Sequence, residues 1–360
     1  TTIFDIFSCG EEAIDTHRAM AQKLGAKGWL TLSWPKEYGG QGKSPMFQLI
    51  LAEEIADHYS PGYDVFGIGM IAPVLFSMGS EEQKRRHLPG MAQGRVLWCE
   101  SFSEPGHGSD LASMETFARE EDDCFVINGQ KTWITGAHFA DWTAIAARTD
   151  REATPKYRGI SLFLLDMKTP GITINPIINI VGHHEFNEVF FDDVRVPKEN
   201  IVSGKNRGWY VIMTLLDFER SCLPVYAIAR RYLMDLVEYT QGKNLINPLM
   251  RSRLCELALE CEVGRLLNYR VGWMQSKGMV FNYEAAMHKA FTFELNQKVA
   301  TFALELLGAY SQLTEESSWA PMYGRSPSYY LRSMGNTLEA GSSEIDRVII
   351  AQRGLGLPRE

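Results

Sequence analysis

Between Ser101 and Asp110 the chain reads Ser-Phe-Ser-Glu-Pro-Gly-His-Gly-Ser-Asp. Two glycines, a proline and several short oxygen-bearing side chains exclude a helix here and expose backbone N–H groups at close range, which suits a ligand rich in oxygens. An apolar strand is expected before it, over Arg95-Val-Leu-Trp-Cys99. After it, Asn128-Gly129 predicts a turn closed by a polar and aromatic strand, Lys131-Thr-Trp-Ile-Thr135. A strand end, a glycine-broken loop and a neighbouring Trp133 would make a shelf for a flat, hydrogen-bonding ring. The same composition also describes an ordinary surface loop on a β-domain.

Other residues with chemical potential have plainer readings. His183 and His184 stand side by side in Gly182-His-His-Glu185, but neighbours on an extended segment point to opposite faces, so a turn before the last strand of the β-region is expected rather than a metal site. Trp98, Trp142 and Trp209 read as core residues, and Tyr329, Tyr330 and Met334 as packing residues that could also line a pocket. The six cysteines, 9, 99, 124, 222, 255 and 261, show no CxxC and no metal spacing, so reduced, buried thiols are expected.

The elements that must position these residues follow from periodicity. Glu11 to Leu24 reads as an amphipathic helix ending at Gly25, followed by a Gly/Pro-rich connector, Trp34 to Gly42. Helical runs follow over Met46 to His58 and Tyr63 to Met78. Ser80-Glu-Glu-Gln83 then forms a capping box that opens a short helix ending near Pro89. From about Val96 to Val202 the period changes. Cys124 to Asn128, Lys131 to Thr135, Trp142 to Arg148, Gly159 to Leu165, Ile172 to Pro176 and Glu188 to Val196 read as short strands of an antiparallel barrel or sandwich. Beyond Gly208 the helical period returns in long pieces, Trp209 to Thr240, Pro248 to Lys277, Tyr283 to Gly308 and Ser343 to Gly354, which point to a bundle. The expected fold is therefore α+β and multidomain, with an amino-terminal helical domain (1–95), a central antiparallel β-domain (96–205) and a carboxyl-terminal bundle of four-helix type (206–360).

With 360 residues there is room for two or three well-packed domains, and no apolar run reaches membrane-spanning length. A net charge of −8 with dispersed basic residues argues against a nucleic-acid surface. No basic region followed by an apolar core opens the chain, although it begins without Met; a cytoplasmic location is expected, or the mitochondrial matrix in a eukaryote.

Five segments carry a family resemblance: Ser103-Glu-Pro-Gly-His-Gly-Ser-Asp110, Asn128-Gly-Gln-Lys-Thr-Trp-Ile-Thr135, Phe190-Phe-Asp-Asp-Val-Arg-Val-Pro197, Leu216-Asp-Phe-Glu-Arg220 and Ala340-Gly-Ser-Ser-Glu-Ile345. From about Trp29 onward the chain resembles the acyl-CoA dehydrogenases. The resemblance implies FAD, with Ser103 and Ser109 bonding the flavin or its phosphates, Trp133 and Thr135 beside the isoalloxazine, and Ser342 and Glu344 at positions that help hold the adenine half across subunits. It implies an acyl-CoA substrate, with Ser109, Asp217 and Arg220 at or near its cleft. An electron-transfer flavoprotein is the implied acceptor, and a homotetramer or homodimer the implied assembly. Removing the α-proton of a thioester needs a carboxylate base and donors aimed at the carbonyl oxygen, while a flavin takes up the β-hydride.

Most members place the base immediately before the glycine of the carboxyl-terminal motif, where this chain has Ala340. A minority, resembling the isovaleryl- and long-chain-specific enzymes, carry it in a Leu-Asp-Leu/Phe-Glu-Arg segment, and Glu219 matches that position. The resemblance thus assigns Glu219 as base and the Ala340 backbone N–H as donor to the thioester oxygen, with Glu339 as a competing base. Taken alone, Glu219 would read as an ordinary solvated or Arg-paired helix residue. Two segments depart from the family at positions that meet the neighbour's flavin, Tyr239-Thr-Gln-Gly-Lys-Asn244 and Glu305-Leu-Leu-Gly-Ala-Tyr310. They leave room for a hetero-oligomer with a related chain, and for a flavin-poor partner subunit. An oxidase or monooxygenase of the same fold is the other alternative.

Overall fold

The structure, a computed structural model, describes residues 11–222, 224–243 and 245–358. Cys9, Asn244 and Leu223 lie outside the described residues. The chain divides into two compact units, Thr1–Gln48 with Pro61–Cys222, and Leu49–Ser60 with Leu223–Glu360.

The first unit opens with α1 (Glu11–Ala26), and α2 (Pro45–Asp57) runs from it into the second unit. The run expected as one helix over Tyr63 to Met78 begins with a π-helical turn, Val65–Ile71, capped by Asp64, and continues as α3 (Ala72–Met78). The capping box forms as expected: Ser80 Oγ accepts from the Gln83 N–H at 3.1 Å, and Gln83 Oε1 accepts from the Ser80 N–H at 3.1 Å. The helix it opens, α4 (Glu81–Ala92), does not stop near Pro89 but carries that proline inside.

Seven strands form one sheet among the described residues: β1 (Trp98–Ser101), β2 (Phe117–Glu120), β3 (Cys124–Lys131), β4 (Trp142–Arg148), β5 (Ile160–Asp166), β6 (Ile172–Ile178) and β7 (His184–Pro197). The sheet is mixed. β1 and β2 run parallel to β4, and the β2–β3, β3–β7, β4–β5 and β6–β7 pairs are antiparallel. Phe125, Ile127, Ile145, Phe163, Val189 and Val194 fill its core.

Two expectations are corrected here. Asn128-Gly129 is a bulge within β3, where the register against β7 shifts, and not a hairpin turn. Residues 132–135 are not a strand, because Trp133 takes a left-handed backbone with φ 61°. The expected strand over Arg95 to Cys99 begins later, at Trp98.

The sheet is followed by α5 (Gly208–Cys222), whose first residue lies on β5. A Cβ at Gly208 would sit 2.4 Å from the Ser161 carbonyl carbon, so glycine is what lets the helix start against the strand. The long helix expected over Trp209 to Thr240 is two helices, because Pro224 has no N–H to continue a helical ladder.

In the second unit, α6 (Val225–Thr240), α7 (Pro248–Ser276) and α8 (Asn282–Leu307) pack around Leu233, Leu236, Leu257, Leu295, Val299 and Phe302. Buried Glu53 on α2 ties this bundle together, accepting from Tyr269 Oη at 2.7 Å and pairing with Arg230 and Arg265 at 3.2 Å each. The short α9 (Arg325–Ser333), which periodicity did not reveal, and α10 (Ser343–Ile349) complete the unit. Cys99, Cys124 and Cys261 are buried as expected. Cys255, on α7, is exposed.

Candidate active site

The Ser101–Asp110 loop is anchored from beneath. Lys131, wholly buried at the end of β3, donates to the Phe102 carbonyl at 2.9 Å and to Glu104 Oε1 at 2.8 Å. Glu104 also accepts the Glu115 and Thr116 N–H groups at 2.6 and 2.9 Å. Reciprocal bonds between the Glu104 and His107 backbones close a tight reversal over Pro105-Gly106. Ser109 is left exposed on this loop and Ser103 half-buried.

Beside the loop, Asn187 of β7 sets the 132–136 segment. Its side chain donates to the Ile134 carbonyl at 2.9 Å, and its carbonyl accepts the Ile134 N–H at 3.0 Å. Thr132 N–H bonds the Ser103 carbonyl at 2.9 Å, joining segment to loop. The bond on either side of Trp133 explains its left-handed backbone. The indole is consequently 59% exposed and meets Phe186 only edge-on, at 5.7 Å. A large aromatic face held out by a strained residue fits a flat ring stacked on it. Thr135 lines a narrow cleft with Tyr63, Asp64, Trp98 and Gly136.

His184 opens β7 immediately after a turn in which Asn179 Oδ1 accepts the Val181 and His183 N–H groups. It stacks on His138 at 3.8 Å, and no metal-binding group of three His, Cys, Asp or Glu side chains occurs among the described residues. Trp98 is fully buried; Trp142 stacks on it and is only partly covered, as is Trp209, which leans on Tyr157.

Glu219 sits on the last turn of α5 and is buried, at 8% exposure. At the end of that turn, a Cβ on Gly69 would come within 3.1 Å of the Cys222 Cβ, so glycine there eases the close approach of the π-helical turn to α5. Glu219 lies near enough to Glu100 on β1 for its charge to act on that carboxyl. Burial, and then the neighbouring Glu219 carboxyl, raise the Glu100 carboxyl well above the ordinary range. Glu100 Oε2 is closed to solvent, although the residue as a whole keeps some exposure. Strand alternation accounts for its direction: Cys99 enters the sheet core, while Trp98 and Glu100 share the opposite face. The Cys222 thiol is likewise pushed well up, by burial and then by Glu219 and Glu100. One residue beyond Glu219, Arg220 is buried and pairs with Asp217 at 3.2 Å.

The competing carboxylate has other ties. Glu339, in the second unit, pairs with Arg332 at 2.9 Å and accepts from Asn336 Nδ2 at 2.6 Å. Next to it Ala340 is held left-handed, at φ 54°. The following carbonyl, Gly341, accepts from the wholly buried Lys289, which also lies 3.4 Å from buried Asp346. Ser342 caps α10 by accepting the Ile345 N–H at 3.3 Å, and exposed Glu344 lines an open groove with Tyr330, Met334, Lys298 and Arg347. Tyr329 is a packing residue, its ring tilted against Tyr232 with centroids 4.1 Å apart. In the two departing segments, Glu305 pairs with Arg253 and Tyr310 is 56% exposed.

Sequence models of the acyl-CoA dehydrogenase N-terminal, middle and C-terminal domains match residues 8–95, 99–194 and 206–355. The chain belongs to the acyl-CoA dehydrogenase family. It is 35% identical to the acyl-CoA dehydrogenase IpdE1 of Mycobacterium tuberculosis over 356 residues, 97% of this chain and 90% of that one. The Tcur3481-Tcur3483 steroid ACAD is similar in structure with a TM-score of 0.90 at 32% identity, covering 99% of this chain and 91% of that one. The ChsE4-ChsE5 complex from Mycobacterium tuberculosis gives 0.87 at 33%, covering 97% and 92%. As an acyl-CoA dehydrogenase the chain is an oxidoreductase of a flavoprotein family, and the expected fold of helical, β-sheet and helical parts is that family's. No helix among the described residues is long and apolar enough to cross a membrane.

Sequence reasoning did not find Glu100, Glu104, Lys131, Asn187 or Lys289. Glu100 did leave a signal, a lone carboxylate in the apolar stretch Val96 to Phe102.

Proposed function

We propose that this chain catalyses FAD-dependent α,β-dehydrogenation of an acyl-CoA thioester, with Glu219 as the base. The observation that carries the reading is the buried Glu219 carboxyl on α5, combined with alanine at position 340 and a Glu339 already engaged by Arg332 and Asn336. A carboxyl group shielded from water is a better proton acceptor than a solvated one, because burial disfavours its charged form.

The remaining roles follow from what each residue can offer. Ser103, Ser109 and the exposed loop amides would bond oxygens of the flavin or its phosphates, Trp133 would cover one face of the ring and Thr135 would lie beside it. Ser342 and Glu344 would serve the adenine half. FAD, when bound, supplies the hydride acceptor that side chains lack. The Ala340 N–H, in a turn held by Lys289, would polarise the thioester oxygen. Ser109, Asp217 and Arg220 would line or support the acyl-CoA cleft. The parts 1–95, 96–205 and 206–360 would act as the three domains of one catalytic chain.

Two of the similar structures bear paired names, Tcur3481-Tcur3483 and ChsE4-ChsE5. Together with the altered 239–244 and 305–310 segments, they favour assembly with a related chain over a homotetramer or homodimer. The steroid ACAD among them favours a bulky, ring-bearing acyl group.

Anaerobic mixing of the purified, FAD-loaded protein with a panel of straight, branched and ring-bearing acyl-CoAs tests the reading. Loss of the flavin's visible absorbance, strongest with a ring-bearing acyl group, is the expected result. Rapid reoxidation by electron-transfer flavoprotein and slow reoxidation by air would separate a dehydrogenase from an oxidase. A protein that binds no flavin, alone or with a related chain, would contradict it.

A further inference from the structure

We infer that His184 and His138 are positioning residues for the flavin: stacked on each other, they lock the Asn187 amide that holds Trp133 out as its platform. This rests on the reading of Trp133 as the surface that covers the ring. Asn187 is fully buried on β7, and both polar atoms of its side chain are engaged. The amide nitrogen lies 2.9 Å from the Ile134 carbonyl and 3.1 Å from His138 Nδ1, and the amide oxygen lies 2.7 Å from His184 Nε2. The two imidazoles stack with centroids 3.8 Å apart and planes 21° from parallel.

Counting donors assigns the protons. A carbonyl only accepts, so the amide nitrogen must face Ile134 and the amide oxygen must then face His184. His184 Nε2 therefore carries a hydrogen and donates it. The second amide hydrogen meets His138 Nδ1, which must be bare to accept it. His138 is thus neutral, with its proton on Nε2. A proton on Nδ1 would set two donors face to face and turn the amide away from Ile134, releasing one of the bonds that hold Trp133 at φ 61°.

The surroundings keep His138 uncharged. Burial first, and then the neighbouring His184, pull it down to about 4, although the bond to Asn187 opposes them. From α1, Arg18 donates to the Phe139 carbonyl at 2.6 Å and pairs with Asp141 at 3.1 Å. His17, also on α1, is pulled down to about 4 by burial and then by Arg18. On β7, Glu185 accepts from Asn179 Nδ2 at 3.0 Å, and its carbonyl accepts the Gly136 N–H at 3.0 Å. Asp64, raised to about 7 by burial, and Tyr63 line the same cleft as His184. Neither His138 nor His184 touches a reacting atom in this scheme; both act through Asn187 on Trp133.

Nitrogen NMR of the FAD-loaded protein labelled at its histidines reads the protons directly, with the two rings assigned by their loss in His138→Phe and His184→Phe. Near pH 7, His138 should show a bare Nδ1 and His184 a protonated Nε2. A proton on His138 Nδ1, or a bare Nε2 on His184, overturns the inference. The rate of FAD release after dilution reads the consequence. Each Phe variant keeps a ring for the stack but no ring nitrogen, and should release FAD about tenfold faster than the wild type. His184→Gln, which can still donate an N–H, should fall between the two, and His183→Phe, on the exposed neighbour, should match the wild type. A purely structural role would add its effect to any background. In Trp133→Ala, where the platform is gone, His184→Phe should instead add almost nothing. Full additivity, or wild-type release from both Phe variants, contradicts the positioning role. A wild type that shows these protons yet holds no FAD would remove the flavin reading itself, and the positioning role with it.

Discussion

Lys131 Nζ lies 2.8 Å from Glu104 Oε1, with the lysine wholly buried and the glutamate at 5% side-chain exposure. Burial pulls the lysine down to about 8, and Glu104 opposes that pull. The loop that faces the proposed ring is thus held not by its own serines and glycines but by an ion pair beneath it. Removing one partner of a buried pair leaves a charge with neither water nor counter-ion. Lys131→Met should therefore lower stability by about 3–5 kcal/mol and reduce flavin retention. The double variant Lys131→Met, Glu104→Gln should recover part of both. Denaturant unfolding and flavin content of the purified variants measure this, and a single variant as stable as the wild type would contradict it.

Asp64 gives a pH signature of its own. Its Oδ1 accepts the Gly67 N–H at 3.0 Å, yet burial outweighs that bond and raises the carboxyl from 3.8 to about 7. Because the folded value lies above the unfolded one, folding favours the protonated acid. The stabilisation is complete below about pH 4 and is lost as pH rises through about 7. Asp64→Asn can accept the same hydrogen bond and cannot ionise. Its stability relative to the wild type should rise by a few kcal/mol, roughly 4 at most, between about pH 4 and pH 8. Parallel stability curves for the two proteins would show that Asp64 does not titrate in this range.

Glu339 is held by Arg332 and Asn336 at 2.9 and 2.6 Å. Its side chain retains 27% exposure, so the ion pair contributes modestly. Glu339→Gln should keep turnover within a few-fold of the wild type and cost about 1 kcal/mol of stability. Initial rates of flavin reduction check this. A collapse of turnover with flavin still bound would make Glu339 the base.

How much of this was legible in the sequence depends on the range of the forces involved. The Ser80–Gln83 capping box was readable because both partners lie within one helical turn, and the long α7 and α8 because their period repeats many times. Residues 132–135 misread as a strand because their composition is strand-like, while the left-handed Trp133 is imposed by Asn187, far along the chain. The break before α6 was readable in principle, since Pro224 stands in the middle of the run. Within the site, Glu219 and Ala340 came from the family resemblance. Glu100 did not, because its meaning arises only when β1 and α5 meet.

Replacing Glu219 is the most direct test of the account. Stopped-flow mixing of FAD-loaded Glu219→Gln with an acyl-CoA that bleaches the wild type isolates the proton-abstraction step, with flavin content and ligand-induced spectral shifts reporting on binding. The account predicts full flavin occupancy, retained acyl-CoA binding and bleaching slowed by about 10²–10⁴-fold. Bleaching at the wild-type rate in that variant would contradict it.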